Sequence, residues 1–579
     1  MRPVELPARR GFSISYRGKT LLSRIDPVAQ AERLAAEIPV KERTLYFCPS
    51  PLYGYGLSLL LERLRNEAGG KNSAVLCVEA DEQLFEISQN SRREQGWNDG
   101  TPLALVSVPE QLCAFVRKTW GERQFRRVEM IHLTGGWQLF PQLYENLANA
   151  LRRELAVEWG NAMTLIRLGR LYARNLIRNL ALLPEAENIA ALDFGSSPVL
   201  ALGAGPSLDP LLDGLSAFFG GKTRPHANRY SAEGNFPGPG KRPFKIVCVD
   251  TCLPALHERS ILPDLVVILE SQHWNLRDFS GARGRKIDAA LDLSALPASG
   301  RVLGGKRFCF ATPWTELALF KRLGDAFLLP EIFPPLGSVG LSAVALALRA
   351  GSGPVLSGGI DFSYTLDAYH ARSTPGYGDI ERRQNRLRSI INAGAAFREG
   401  SFAALSKSGE TVRSDPAMRN YRNLFEQEFG GKANADSRLM DITGPGLPLG
   451  VKTVTLAQAF AILFCKDKAA PPAVRASASI PPGVSSPREK REKTAAFIRG
   501  ETDALKTLRD MLSGAIPLEP ARLDGLLDSA DYLWAHFPEC AGLGRPPASD
   551  LGFLKRVRAE TDPFLKCWEM ALEEITNFT

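Results

Sequence analysis

With 579 residues, 44% hydrophobic and 23% charged, the chain has the composition of a folded protein too long for one core, and length alone predicts about three or four domains. Its 71 basic and 63 acidic residues leave a net charge of +8, which admits an anionic substrate and gives no ground for a nucleic-acid partner. Nine scattered cysteines, an N-terminus without an apolar segment and no run near the roughly 18 apolar residues of a membrane span exclude a disulfide scaffold and a transmembrane segment, and predict a cytoplasmic protein.

"FSISYRGKTLLS" predicts a hairpin turning at Arg17-Gly18, and "DPVAQAERLAAEI" a helix with Asp26 as N-cap and Pro27 in its first position. "TLYFCPSPLYGYGLSLLLERL" predicts a strand, a glycine loop and a helix; "SAVLCVEADEQLFEIS" predicts the next strand, ending at Glu79. A glycine loop followed by an acid at the next strand end is the arrangement that holds the ribose of an adenosyl cofactor. Prolines break this loop, so residues 1–150 read as a hairpin plus a structural or degenerate Rossmann-like α/β domain.

Helical periodicity from Leu151 to Leu183 leads into a second alternation of strands and helices, the pattern of a doubly wound parallel sheet spanning residues 151–465. Its strands read as 198–202, "KIVCVD", "DLVVILES", a segment near "RFCFAT" and "PVLSGGIDF", and "SVGLSAVALALRAG" reads as a helix. The Gly/Pro-rich stretch 220–243 reads as an inserted surface loop, residues 466–487 as a linker, and residues 488–579 as a helical C-terminal tail whose "REKREK" run is a solvated helix face. Cys248 and Cys252 flank a strand end without a second ligand pair, which predicts buried thiols and no metal.

Ligands of a doubly wound sheet bind beyond the carboxyl ends of its strands. The residues this reading places there are Gly203, Ala204, Gly205, Pro206 and Ser207 after the first strand, Asp250 and Thr251 after the second, Glu270 and Ser271 after the third, Ser338 before a helix, and Asp361 to Tyr364 after the last. The turn "GAGPSL" leads from strand to helix, where glycines allow close backbone approach and free N–H groups favour an anion such as phosphate; a tight turn with a serine cap reads equally well. Taken together, small, acidic and hydroxyl residues at successive strand ends predict a nucleotide site.

"LGAGPSLD", "IVCVDTCLPALHERSILPDLVVILES", "GSVGLSAVALALRAGSGPVLSGGIDFSYTLDAYHA" and "LSKSGETVRSD" resemble, in this order, the 6-hydroxymethylpterin diphosphokinase MptE-like domain of the motility-associated factor (Maf) flagellin glycosyltransferases. The domain is similar in turn to bacterial sialyltransferases with a GNGPSL loop and an SGIDF strand end, where this chain has Ala204 in place of Asn. Ile360 stands where many Maf proteins have Gln.

The resemblance implies a sialyltransferase-like enzyme that moves a nonulosonic, sialic-acid-like sugar from a CMP donor to Ser or Thr of flagellin, with no cofactor and no metal required. An activated donor needs orientation, stabilisation of the departing phosphate and removal of a proton from the acceptor hydroxyl. His370, in the polar loop "DAYHARS", is the candidate base, with Asp361 and Tyr364 beside it; Gly203 to Ser207, Asp250, Thr251, Glu270, Ser271 and Ser338 are the candidates for binding the CMP-sugar. His257, His132 and His226 read as a helix-face, a strand and a loop histidine. Two alternatives stand beside this reading: a pterin diphosphokinase with ATP and Mg²⁺ at Asp250, Glu270 and Asp361, and a non-catalytic flagellin-binding protein.

Overall fold

Short runs of apolar residues become parallel strands in both halves of the chain, because a strand covered on both faces needs no polar alternation. The computed structural model describes residues 2–94, 101–121, 124–218, 241–366, 368–390, 398–430, 436–464, 486–541 and 544–577. The insertion expected at 220–243 and the linker expected at 466–487 lie almost wholly outside the described residues, as does His226. The chain divides into two compact units, residues 1–168 with 534–547 and residues 169–533 with 548–579.

The first unit opens with the antiparallel strands β1 (Val4–Pro7), β2 (Phe12–Tyr16) and β3 (Lys19–Thr20). The turn between β2 and β3 uses positive φ at both Arg17 and Gly18, the geometry a two-residue hairpin needs. Helix α1 (Pro27–Glu37) starts as its sequence predicts, with Asp26 accepting a hydrogen bond from Ala29 N and Pro27 in the first turn. Next come β4 (Thr44–Pro49), α2 (Leu57–Asn66), β5 (Ala74–Glu79), α3 (Glu82–Glu94), β6 (Leu103–Leu105), α4 (Pro109–Trp120) and β7 (Arg127–Met130). The four long-range strands pair in parallel in the order β6-β5-β4-β7, a Rossmann half-sheet. The 39-residue helix α5 (Pro141–Asn179) gives Tyr144, Leu147, Leu151 and Leu155 to this unit's core and its last turns to the second unit.

Among the described residues, the second unit is built on nine parallel strands in the order β18-β17-β14-β9-β10-β11-β12-β13-β8. Along the chain these are β8 (Glu187–Asn188), β9 (Val199–Leu202), β10 (Lys245–Val249), β11 (Leu265–Ile268), β12 (Asp288–Asp292), β13 (Arg307–Phe310), β14 (Val355–Gly358), β17 (Leu439–Ile442) and β18 (Lys452–Val454). An antiparallel pair, β15 (Phe402–Leu405) and β16 (Thr411–Ser414), stands between β14 and β17 in the chain. The helices are α6 (Leu208–Phe218), α7 (Leu253–Glu258), α8 (Ala318–Asp325), α9 (Val339–Ala350), α10 (Pro375–Arg382), α11 (Pro416–Phe425) and α12 (Leu456–Phe464). After β9 the sheet grows on one side through β13; α9 then returns the chain to the other side of β9, where β14 pairs with it. Strand order therefore reverses between β9 and β14.

The tail forms α13 (Pro487–Ser513), α14 (Pro520–Ser529) and α15 (Leu551–Asn577). These helices pack into the second unit: Trp568 is fully buried, Arg322 of α8 pairs with Glu501 at 2.6 Å, Arg170 pairs with Glu560 at 2.6 Å, and Asp531 accepts a hydrogen bond from Ala318 N at 2.7 Å. Among the described residues no helix is long and apolar enough to cross a membrane.

Candidate active site

The crevice of a doubly wound sheet opens beyond the carboxyl ends of the strands where their order reverses, here between β9 and β14. The two loops that leave these strands interlock. Gly203 N donates to Gly358 O at 2.8 Å and Gly205 N to Gly359 O at 2.7 Å. A Cβ on Gly203 would lie 2.6 Å from Gly359 O and one on Gly205 2.4 Å from Asp361 Oδ2, so both glycines are required by loop packing.

Asp361 changes the reading of this loop. Its Oδ2 accepts Ser207 N at 2.7 Å and its Oδ1 accepts Ser207 Oγ at 2.6 Å, while Ser207 Oγ in turn accepts Gly359 N at 3.1 Å. The start of α6, where the sequence places a ligand phosphate on Gly203–Ser207, thus already holds an anion, the protein's own carboxylate. Helix N–H groups attract the nearest negative charge, and the fold brings Asp361 there. The same two bonds take Asp361 out of the proton-transfer role expected of it. Tyr364 is committed in a similar way, its hydroxyl donating to Asp415 Oδ2 at 2.5 Å while Asp415 Oδ1 caps α11 through Met418 N.

A second helix start remains open. Because α9 leads into β14, it begins at the carboxyl edge of the sheet, and it packs across β9, β10, β11 and β14. Ser338 is its N-cap without a side-chain capping bond, and the first intrahelical bonds run from Leu341 N and Ser342 N to Ser338 O. The preceding N–H groups, of Val339 and Gly340, are those a helix leaves for an external acceptor. Tyr421 lies against the adjoining Gly337, where a Cβ would come 3.1 Å from its ring.

His370 stands beside the end of β9. Its Nδ1 is 3.2 Å from Ala204 O, and Ala371 N donates to the same carbonyl at 2.9 Å. A carbonyl only accepts, so Nδ1 carries the hydrogen and Nε2 keeps its lone pair. Burial pushes the His370 pKa below its usual 6.5, against the smaller opposing effect of the Ala204 carbonyl. The loop is pinned further by Arg372 N to Asp209 Oδ2 at 2.9 Å and by an ion pair of 2.6 Å between Asp379 of α10 and Arg277.

The other strand-end residues form a polar cluster that sequence reasoning located only in part. Asp250 is buried, with Oδ1 accepting Thr251 N at 2.8 Å and Oδ2 accepting Asn275 Nδ2 at 2.7 Å; burial pushes its pKa up to about 6. Ser299 Oγ donates to Asn275 Oδ1 at 2.7 Å, and Asn275 Nδ2 also reaches Asp278 Oδ2 at 3.2 Å. Burial, then the neighbouring Asp250, push the Asp278 pKa up to about 7. Glu270 is exposed and accepts Gln272 N at 2.9 Å, whereas Ser271 is buried and its carbonyl accepts Asn175 Nδ2 at 3.0 Å. Asn179 reaches Leu293 O and Ala295 O, so α5 clamps the loops after β11 and β12. Two asparagines four residues apart on an otherwise apolar helix stripe were the available signal for this clamp.

Lys407, within "LSKSGETVRSD", was also missed as an individual residue. Its side chain is 2% exposed and pairs with Asp441 at 2.6 Å, and Asp441 also accepts Ser357 Oγ at 2.8 Å. Burial raises the Asp441 pKa while the Lys407 ammonium opposes the rise.

With this geometry in place, residues 240–367 match the family model described as 6-hydroxymethylpterin diphosphokinase MptE-like. Over its whole length the chain is similar in fold to a Maf glycosyltransferase from Magnetospirillum magneticum AMB-1, with a TM-score of 0.52, 13% identity and 90% of that structure covered. Residues 240–367 of the second unit are thus similar to the MptE-like family, and the chain shares the fold of a Maf glycosyltransferase. An uncharacterized protein of Treponema pallidum (strain Nichols) is 29% identical over 578 residues, covering 97% of this chain and 94% of the relative. The MptE-like match contains Asp250, Asp278, Ser338 and Asp361, while the GAGPSL turn and His370 lie outside it.

The Rossmann-like crevice of the first unit is filled by its own hairpin. Gly135 N, beyond β7, donates to Leu21 O at 2.6 Å; Tyr16 and Arg17 both reach Asp81 Oδ2; and Ile14, Tyr16, Leu21 and Leu22 pack on Leu52, Tyr53, Tyr55 and Leu84. Glu79 is wholly buried, its Oε1 accepting Ser50 Oγ at 3.1 Å and Ser88 Oγ at 2.8 Å. This supports the structural reading of the unit over a ribose-holding one. Burial pushes the Glu79 pKa up to about 8, so the folded protein binds its proton more tightly than the unfolded chain does. The stability this gives is complete below the unfolded value of 4.5 and is lost as pH rises towards 8, with a slope approaching about 1.4 kcal/mol per pH unit. Glu79→Gln, an uncharged near-isostere, is expected to flatten that decline in a series of thermal melts; an unchanged pH profile would show that Glu79 is ionised in the fold.

Proposed function

We propose that the second unit is a glycosyltransferase that moves a nonulosonic, sialic-acid-like sugar from a CMP donor to a Ser or Thr hydroxyl of flagellin, without a required cofactor or metal. The single observation that carries the reading is His370, tied through Nδ1 to the Ala204 carbonyl and left with a basic Nε2 at the switch point of the sheet. The motif resemblance and the fold shared with a Maf glycosyltransferase support it.

In this proposal the acidic donor places its phosphate or carboxylate at the start of α9, with Ser338 and the Val339 and Gly340 N–H groups as donors. Departure of CMP is eased by those donors. His370 Nε2 takes the acceptor hydroxyl proton as the new glycosidic bond forms, and Asp361 holds the β9 and β14 loops together.

The matching family description favours a second reading, pterin diphosphokinase activity with ATP and Mg²⁺. Engagement of both Asp361 oxygens by Ser207 counts against the carboxylate trio that reading uses. A thermal-shift panel of CMP, CDP, ATP and S-adenosylmethionine, each with and without Mg²⁺, separates the possibilities. CMP at a hundredfold excess over its Kd is expected to stabilise the protein by about 2.7 kcal/mol without Mg²⁺. Stabilisation by ATP only with Mg²⁺ would favour the kinase, and no response to any nucleotide would favour a non-catalytic flagellin-binding protein.

A further inference from the structure

Beyond β11 the chain makes a short 3-10 segment, His273–Phe279, that carries Asn275 and Asp278 onto the ligand-facing edge of the sheet. Asn275 is buried and its amide has one possible orientation. Ser299 Oγ donates to Oδ1, so the two hydrogens on Nδ2 are directed at Asp250 Oδ2 and Asp278 Oδ2, 2.7 and 3.2 Å away. One amide group thereby holds two carboxyl groups side by side.

The two acids differ in what remains free. Asp250 is 2% exposed, and its other oxygen accepts Thr251 N. Asp278 is half-buried, and the bond from Asn275 goes to Oδ2, which leaves Oδ1 as an acceptor at the surface of the cluster. The cation next to it in sequence, Arg277, is shared with Asp379 of α10 and offsets only part of what burial and Asp250 do to Asp278. Asp250 and Glu270 add like charge to its surroundings, which disfavours a second anion there and favours a neutral hydrogen-bond donor. A sugar diol is such a donor: it brings hydroxyl hydrogens and no charge.

We infer that Asp278, rather than Asp250, is the residue that accepts the ribose hydroxyls of a bound nucleotide, with Asn275 and Ser299 fixing its position. The inference rests on the nucleotide-dependent reading above and adds to it a residue and the ligand group it recognises. Asp250 is a positioning residue in this arrangement, turned inward to Asn275 and Thr251.

The test compares the affinity of the full chain for CMP and for 2′,3′-dideoxy-CMP by calorimetry. In Asp278→Asn, Asn275 keeps donating to the variant's carbonyl, so the open atom changes from an acceptor to an NH₂ donor. At pH 8, where Asp278 is ionised, the wild type is expected to bind CMP about tenfold more tightly than the dideoxy compound, the effect of a hydrogen bond to a charged acceptor. Asp278→Asn and Asp278→Ala are expected to bring that ratio close to one, with dideoxy-CMP affinity and melting temperature nearly unchanged. A ratio kept in either folded variant, or absent in the wild type while CMP still binds, overturns the role of Asp278 and leaves the glycosyltransferase proposal standing. Failure of the wild type to bind any nucleotide overturns both.

Discussion

His370→Ala is expected to slow sugar transfer by about 10² to 10⁴, the usual effect of removing a general base. CMP affinity should stay nearly unchanged, because the imidazole serves the acceptor hydroxyl. The pH dependence follows from two observations. Nδ1 is committed to the Ala204 carbonyl and Nε2 is open, and burial holds the pKa of the ring below 6.5. His370 is therefore neutral and able to accept a proton at neutral pH, and the wild-type rate should fall only as pH drops through that lowered value. In the alanine variant the acidic limb should disappear with the rate. Turnover equal to wild type would remove His370 from the mechanism. Tyr369, whose ring lies 4.8 Å from that of His370, would then be the next residue to test, since the Tyr364 hydroxyl is held by Asp415.

Asp361→Ala is expected to lower folding stability by about 3 to 5 kcal/mol, measured by denaturant unfolding of the full chain. The substitution leaves Ser207 N–H and Ser207 Oγ without their acceptor at a buried helix start, and it unfastens the serine that accepts Gly359 N. A buried donor left without a partner is penalised by its full desolvation, which is why the loss should exceed that of an ordinary cap. Asp361→Asn, which keeps one carbonyl oxygen for one of the two donors, should lose less. If Asp361 instead served a ligand in the free crevice, the alanine variant would retain stability and lose nucleotide binding, a pattern that would overturn the anchoring role.

Much of the local structure was legible in the chain. The Arg17-Gly18 turn, the Asp26-Pro27 helix start and the apolar runs of β4, β5, β9, β10, β11 and β14 follow from residue-level rules that act within a few positions. Strand β12 escaped the same reasoning because its sequence, "DAALD", is short and ends in aspartate at both sides. Asp292 is tolerated in the sheet because Ser294, two residues on, and Thr312 supply its hydrogen bonds, and Thr312 arrives only once the loops after β12 and β13 meet.

The sequence by itself determined which residue types stand at the strand ends, since a strand boundary is a local property of the chain. Their roles were decided by the tertiary structure. Asp361 lies 154 positions from the helix start it caps, Asn275 turns Asp250 inward from 25 positions away, and His370 acquires its proton arrangement from Ala204, 166 positions earlier. In the first unit, Glu79 occupies the place of a ribose-binding acid in the chain, yet hydroxyls from Ser50 and Ser88 and the covering hairpin enclose it. A carboxylate is available to a ligand only when the fold has not already supplied its donors, and those donors come from segments whose approach no local pattern encodes.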